Sequence, residues 1–291
     1  MIKKILKWFG LLVLALFLGA AVYWYLNGQR LQEEYAAFKK TAVPIFMYHA
    51  VEPPGGDFKW PEGLLVPEQL FKEQMEYLKD QGYRLLTVEQ LAERLQTNAD
   101  VDKYAALAFD DGYKDNYSVV LPILEKYGAK ATFFVVNQDI GDWLHMDQKE
   151  IKALLAAGME LGSHTTSHAP LDLIDEHYLP WELATARYNL KVDYDRYIVR
   201  SLSYPNGGYN KTVISEAERY GFYRAVTGNI GVNTAATYAM APMEMYRINV
   251  VDDGNGLQGF KNRLERAYFF GFLQTKGFDV NVICRIIVRI C

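Results

Sequence analysis

The stretch Tyr104-Ala105-Ala106-Leu107-Ala108-Phe109-Asp110-Asp111-Gly112 decides how this chain is read. An apolar run that stops at two adjacent carboxylates and a glycine is the pattern of a buried strand ending in a loop. Neighbouring carboxylates repel, so the pair is costly at a strand end unless a cation lies beside it. Adjacent residues there point in different directions, so one can hold a metal while the other faces a substrate. A second half of such a site follows in Ser163-His164-Thr165-Thr166-Ser167-His168. Histidines at i and i+4 fall on one side of a helical turn and can grip one ion together.

With 291 residues, half of them hydrophobic, the chain can bury a sizeable core in one large domain or two small ones. The net charge of -4, with no basic run past the first residues, gives no sign of a nucleic-acid partner. At the amino terminus Lys3, Lys4 and Lys7 precede Trp8 to Leu26, an uncharged stretch closed by Tyr23-Trp24-Tyr25. That length spans a bilayer, and the aromatic trio suits its interface. The expectation is a membrane anchor over residues 1–28 that holds the remainder outside the cytoplasm. A cleaved signal ending near Gly19 and Ala21, giving a secreted protein, is the rival. Residues 29–42 then read as a short, partly helical stalk. Both cysteines, Cys284 and Cys291, lie in the last eight residues, so the body has no disulfide framework.

From Pro44 onward, short apolar runs alternate with helical patterns, which predicts β/α units around a parallel sheet or barrel over residues 43–276. Expected strands include Pro44 to Tyr48, Tyr83 to Leu86, Ala131 to Val136, Phe222 to Val226 and Met245 to Val250. Pro67 opens a helix, and Gly82, Gly128 and Gly158 close successive ones. Val51 to Leu65 reads as a long loop whose Phe58 and Trp60 either stack on sugar rings or pin the loop to the body. Both halves of the candidate metal site follow strands, where β/α barrels place their chemistry. His145 and His177 read as solvated surface residues. Asp115 and Asp172 read as cap or turn residues, and Asp252-Asp253-Gly254 as a turn. Residues 277–291 fit no preceding rhythm.

Four segments in order, Pro44 to His49, Ala108 to Gly112, Ser163 to His168 and Ser203-Tyr204-Pro205-Asn206-Gly207, resemble the polysaccharide deacetylases, the NodB-homology enzymes of carbohydrate esterase family 4. The resemblance spans roughly residues 43 to 250. It implies a deformed (β/α) barrel and metal-dependent removal of acetyl groups from N-acetylglucosamine polymers. By position it makes Asp110 the catalytic base, and Asp111, His164 and His168 the ligands of a divalent metal, with zinc the expected ion. It also assigns an oxyanion contact to the Tyr204 backbone N–H, beside Pro205. Many members carry an arginine next to that proline and a late histidine acting as acid. This chain has Ser203 and Tyr204 at the first place, and no histidine after His177. Both departures resemble the subgroup that deacetylates poly-β-1,6-N-acetylglucosamine of biofilms, in which an early histidine, here His49, replaces the acid.

Two histidines and one carboxylate leave an open coordination position, as catalytic zinc sites do. The same set serves non-haem iron oxygenases, yet the adjacent Asp110 has a use in hydrolysis and none in oxygen activation. A peptidoglycan or chitin deacetylase, an O-acetyl esterase on the same fold and an inactive glycan-binding protein are the remaining alternatives.

Overall fold

The computed structural model describes residues 27–52, 64–194 and 197–278. The chain divides into two compact units, Met1–Lys40 and Thr41–Cys291. Among the described residues, 27–41 are helical and are labelled α1. The expected membrane anchor lies almost entirely in residues 1–26, outside the described residues, as do Phe58, Trp60 and the two cysteines. No helix among the described residues is long and apolar enough to cross a membrane.

The second unit begins with β1 (Ile45–Tyr48), then β2 (Ala50–Glu52) and β3 (Leu65–Pro67), which pair with each other beside the main sheet. Next come α2 (Glu68–Asp80), β4 (Arg84–Leu86), α3 (Val88–Gln96), β5 (Tyr104–Phe109), α4 (Leu121–Tyr127), β6 (Thr132–Val135), α5 (Gln148–Ala156) and β7 (Glu160–Ser163). The chain continues through α6 (Ala186–Asp193), β8 (Ser201–Ser203), α7 (Lys211–Arg219), β9 (Arg224–Ile230), α8 (Ala235–Met240), β10 (Met245–Asn249) and α9 (Gly256–Thr275). The main sheet is parallel throughout, in the order β1-β10-β9-β8-β7-β6-β5-β4. A further β1–β5 pairing closes seven of these strands into a barrel. One edge of β5 is shared: Tyr104 to Ala106 face β4, and Ala106 to Phe109 face β1. That divided edge is what deforms the barrel.

Local chemistry explains the elements. Thr87 and Asp147 close capping boxes with Gln90 and Glu150 at the starts of α3 and α5, satisfying N–H groups that a helix cannot pair internally. On β5 the two faces separate with period two. Tyr104, Ala106 and Ala108 join Ile45, Phe134, Val226 and Met245 in one buried cluster. Phe109 faces the other way and stacks between Tyr48 and Phe133, at 5.2 and 5.0 Å, with Phe71 of α2 against its edge. At the amino-terminal ends of the strands the buried Glu160 carboxylate accepts from Thr132 Oγ1, Ser201 Oγ and the Glu89 backbone N–H. This ties β6, β7 and β8 to α3.

The sequence reading misses α8, a six-residue helix with no apolar stripe long enough to register. The stretch from Glu176 to Asp193 is helical in three pieces, a 3-10 turn, the π-helical turn Trp181–Thr185 and then α6.

Candidate active site

The period-two alternation of β5 carries Asp110 onto the same face as Ala106 and Ala108, at the carboxyl end of the barrel. Burial there forces the carboxylate to find partners, because an unpaired buried charge is expensive. It finds Arg247, whose position on β10 has the parity of the interior residue Met245. Arg247 Nη1 lies 2.9 Å from Asp110 Oδ1 and 2.8 Å from Oδ2, and Arg247 Nε donates to the Thr227 carbonyl at 2.7 Å. Ser203 Oγ of β8 donates to Asp110 Oδ2 at 3.1 Å. Burial alone would raise the Asp110 pKa. Arg247, with His164 and His49, outweighs it and holds the carboxyl well below the usual carboxylate range. The chain thus places Ser203 where many relatives carry their arginine, and supplies the guanidinium from another strand. Sequence reasoning placed Arg247 on the right strand without assigning it a partner. The signal was a charged arginine between the apolar Met245 and Ile248 of one strand.

Asp111 turns away from that face, its backbone at φ 70° in the left-handed region. Its Oδ1 lies 3.4 Å from His164 Nε2 and 3.4 Å from His168 Nε2. One ligand atom from each of the three residues falls within 4.8 Å of the others. The expected trio is therefore brought together, and its donor set fits a divalent cation. His164 is buried, and its Nδ1 lies 2.8 Å from the Ser203 carbonyl, which fixes the proton there and leaves Nε2 facing Asp111. Burial lowers the His164 pKa against the pull of Asp110 and Asp111, favouring the neutral ring that a metal requires.

The histidines do not share a helical turn as their spacing suggested. Residues 164–168 form a loop in which Thr165 and His168 both take left-handed backbone, at φ 69° and 62°. The buried Glu182 carboxylate of the π-helical turn accepts from the Thr166 and Ser167 N–H groups, 3.0 Å each, and from Ser167 Oγ. Glu182 thus holds the loop, a role that its sequence position did not reveal.

His49 follows β1 at the same end of the barrel. It is electrostatically coupled to Asp110 and Asp111, yet burial prevails and lowers its pKa. Asn116 donates to its carbonyl at 3.0 Å, and its Nδ1 is buried without a hydrogen-bond partner. Tyr204 sits otherwise than expected. Its N–H is directed at the Val226 carbonyl, 3.4 Å away, within the β8–β9 pairing, so that donor is spent on the sheet. Its buried ring stacks on Tyr209, and its hydroxyl donates to the Met243 carbonyl. Pro205 is buried and starts the 3-10 turn Pro205–Gly207.

One surface reading and one cap reading also change. His145 is half-buried: its ring stacks on Tyr113 at 5.0 Å and 19° and meets Asp142 at 2.8 Å. Asp115 makes no side-chain cap bond; it is a half-buried tie, accepting from the Val51 N–H of β2 and from Asn116 Nδ2. His177 is exposed beside Asp175, and Asp253 organises a turn with Asn255 and Arg263, both as expected.

Comparison with known proteins bears on this geometry. The family model for polysaccharide deacetylase matches residues 97–225. YxkH of Bacillus subtilis, a protein assigned to the polysaccharide deacetylases, is 30% identical over 236 residues, covering 79% of this chain and 80% of its own. The poly-β-1,6-N-acetyl-D-glucosamine N-deacetylase of Staphylococcus epidermidis is 24% identical over 227 residues, 70% of this chain and 78% of that one. Among solved structures, the Streptococcus pyogenes deacetylase PplD, in complex with acetate, superposes with a TM-score of 0.67 at 28% identity, over 76% of this chain and 98% of that one. Sequence, fold and the cluster at the barrel's carboxyl end agree, and the chain belongs to the polysaccharide deacetylase family, hydrolases that cleave N-acetyl amide bonds.

Proposed function

We propose that this enzyme removes acetyl groups from β-1,6-linked N-acetylglucosamine polymer outside the cytoplasm, using a divalent cation, zinc by expectation, held by Asp111, His164 and His168. The observation that carries the chemistry is the Asp110 carboxylate, ion-paired with Arg247 and next in the chain to Asp111 of that trio. A cation held there supplies Lewis acidity for the acetyl carbonyl and for water. Asp110 accepts the proton of the attacking water, with Arg247 and Ser203 fixing its two oxygens. The carbon–nitrogen bond then breaks, and the amine leaves only if it is protonated. His49 is the donor: it is the one histidine at the site not committed to Asp111. The products are acetate and the free amino sugar.

The substrate assignment is supported by the likeness to the Staphylococcus epidermidis enzyme, together with the absent motif arginine and late histidine. Acetate release tests it, measured side by side on β-1,6-linked N-acetylglucosamine oligomers, chitin oligomers, peptidoglycan and an O-acetylated glycan, before and after chelation and zinc return. The expected result is fastest release from the β-1,6 oligomers, lost on chelation and restored by the metal. Faster release from peptidoglycan or from the ester refutes the substrate; full activity in verified metal-free protein refutes the cation.

A further inference from the structure

Asp111 is a metal ligand only if its carboxylate keeps one orientation, and nothing in the Asp-Asp-Gly string itself supplies that. The left-handed backbone of Asp111 leads into Gly112, also left-handed at φ 78°, whose missing Cβ would lie 2.9 Å from Val135 Cγ1. The turn therefore packs directly on β6 and delivers the next residue, Tyr113, back against Asp111. The Tyr113 hydroxyl hydrogen-bonds the Asp111 carboxylate. Tyr113 is itself pinned. An antiparallel bridge joins it to His145, flanked by Lys114 N–H to the Leu144 carbonyl at 2.9 Å and Met146 N–H to the Gly112 carbonyl at 3.0 Å. The His145 ring lies flat on the phenol. Asp142 Oδ1 fixes His145 in turn, at 2.8 Å from both its backbone N and its ring Nδ1. The same loop is bonded to the histidine loop by Asn137 N–H to the Thr165 carbonyl and Gln138 N–H to the Thr166 carbonyl. The segment from Asn137 to Asp147 thus braces both halves of the metal cluster.

We infer that Tyr113 is a positioning residue for Asp111: its hydroxyl orients the ligand carboxylate, and the Asp142–His145 pair holds the phenol in place. The inference rests on the cation site proposed above. Hydrogen-bonding partners of metal ligands typically change metal affinity by roughly 10–100-fold. Phenylalanine keeps the ring and its stacking on His145 and removes only the donor, so Tyr113→Phe isolates the hydroxyl.

The test measures zinc affinity of the metal-stripped full chain by competition with a chromophoric chelator, alongside thermal melting of the same metal-free protein. Tyr113→Phe is expected to bind zinc roughly 10–100-fold more weakly, with metal-free melting unchanged. His145→Ala, which loosens the phenol but leaves its hydroxyl, is expected to lose a smaller factor. Affinity of Tyr113→Phe within twofold of the parent overturns the positioning role. A fall in metal-free melting that accounts for the weaker binding overturns it too, because the hydroxyl would then act on the fold. If the parent chain itself takes up no zinc or other divalent cation, the proposed metal site fails, and this inference fails with it.

Discussion

Replacing Arg247 by methionine removes the guanidinium from Asp110 and leaves an isolated carboxylate in the barrel interior. Both side chains are about 2–3% exposed, so water cannot step in. At an effective dielectric near 20, two unit charges about 4 Å apart attract by roughly 4 kcal/mol. Losing one member of such a pair costs about 3–5 kcal/mol, because the survivor stays buried and uncompensated. The Thr227 carbonyl loses its donor as well, worth about 1 kcal/mol. For a domain of this size each kcal/mol moves the melting temperature by roughly 2–4 °C. Arg247→Met should therefore melt on the order of 10 °C or more below the parent. Metal-free protein is the correct material, since ligand binding would add its own stabilisation. Asp110→Asn removes the charge from the other side, and the double variant should recover much of the combined loss. A coupling energy of at least about 2 kcal/mol is expected from the full cycle. If Arg247→Met stays within about 1 kcal/mol of the parent, or the two changes simply add, then Arg247 does not hold Asp110 and the account of the buried charge is wrong.

The half-buried Asp115 carboxyl is pushed up to about 7, chiefly by desolvation. A raised folded value means that its contribution is fully present below the unfolded value of about 3.9 and is lost as pH rises through about 7, up to roughly 4 kcal/mol. Asp115→Asn should remove that part of the pH dependence in urea unfolding compared at pH 5 and pH 8; an unchanged slope counts against it. Gly162→Ala would place a methyl 2.3 Å from the Phe134 ring. It should cost about 1–3 kcal/mol in chemical denaturation, and a neutral result would show that the β6–β7 contact is looser than described. His49→Ala should lower turnover on the amide by roughly 10²–10⁴-fold and much less on an activated ester, whose leaving group needs no proton. Equal losses on both substrates, compared in steady-state assays, would remove the acid role.

What the sequence disclosed depended on how local each signal is. Strand β5 and its Asp110-Asp111-Gly112 ending were readable because an apolar run followed by a charged turn needs no knowledge of the rest of the chain. So were β6 and most helices, which carry their own caps and periodicity. The pairing of the two motifs was legible through chemistry, since carboxylate and imidazole together suggest a cation. Arg247 on Asp110, Glu182 under the histidine loop and Tyr113 on Asp111 were not assigned. Two of them join residues far apart in the chain, and the third depends on backbone at positive φ in two successive residues. The same blindness explains the helical reading of His164 and His168: an i, i+4 spacing fits both a helix and a loop with two left-handed residues. The Tyr204 N–H was assigned by family position alone, and only the β8–β9 pairing shows where it is spent.

The strand that seals the barrel has a consequence for how the enzyme comes to exist. Phe46, at the start of the domain, pairs with Ile248 near its end. Contacts between such distant positions carry a large loop-closure cost and tend to form late. Until β10 arrives, one flank of β1 lies open, and Asp110 lacks its guanidinium because Arg247 travels on that same strand. A chain emerging amino terminus first would therefore carry an unneutralised carboxylate in a half-built wall, resisting premature collapse of the barrel around it. Closure and charge neutralisation become one event. Truncation anywhere before Arg247 should then yield a chain that neither closes nor acquires catalytic competence.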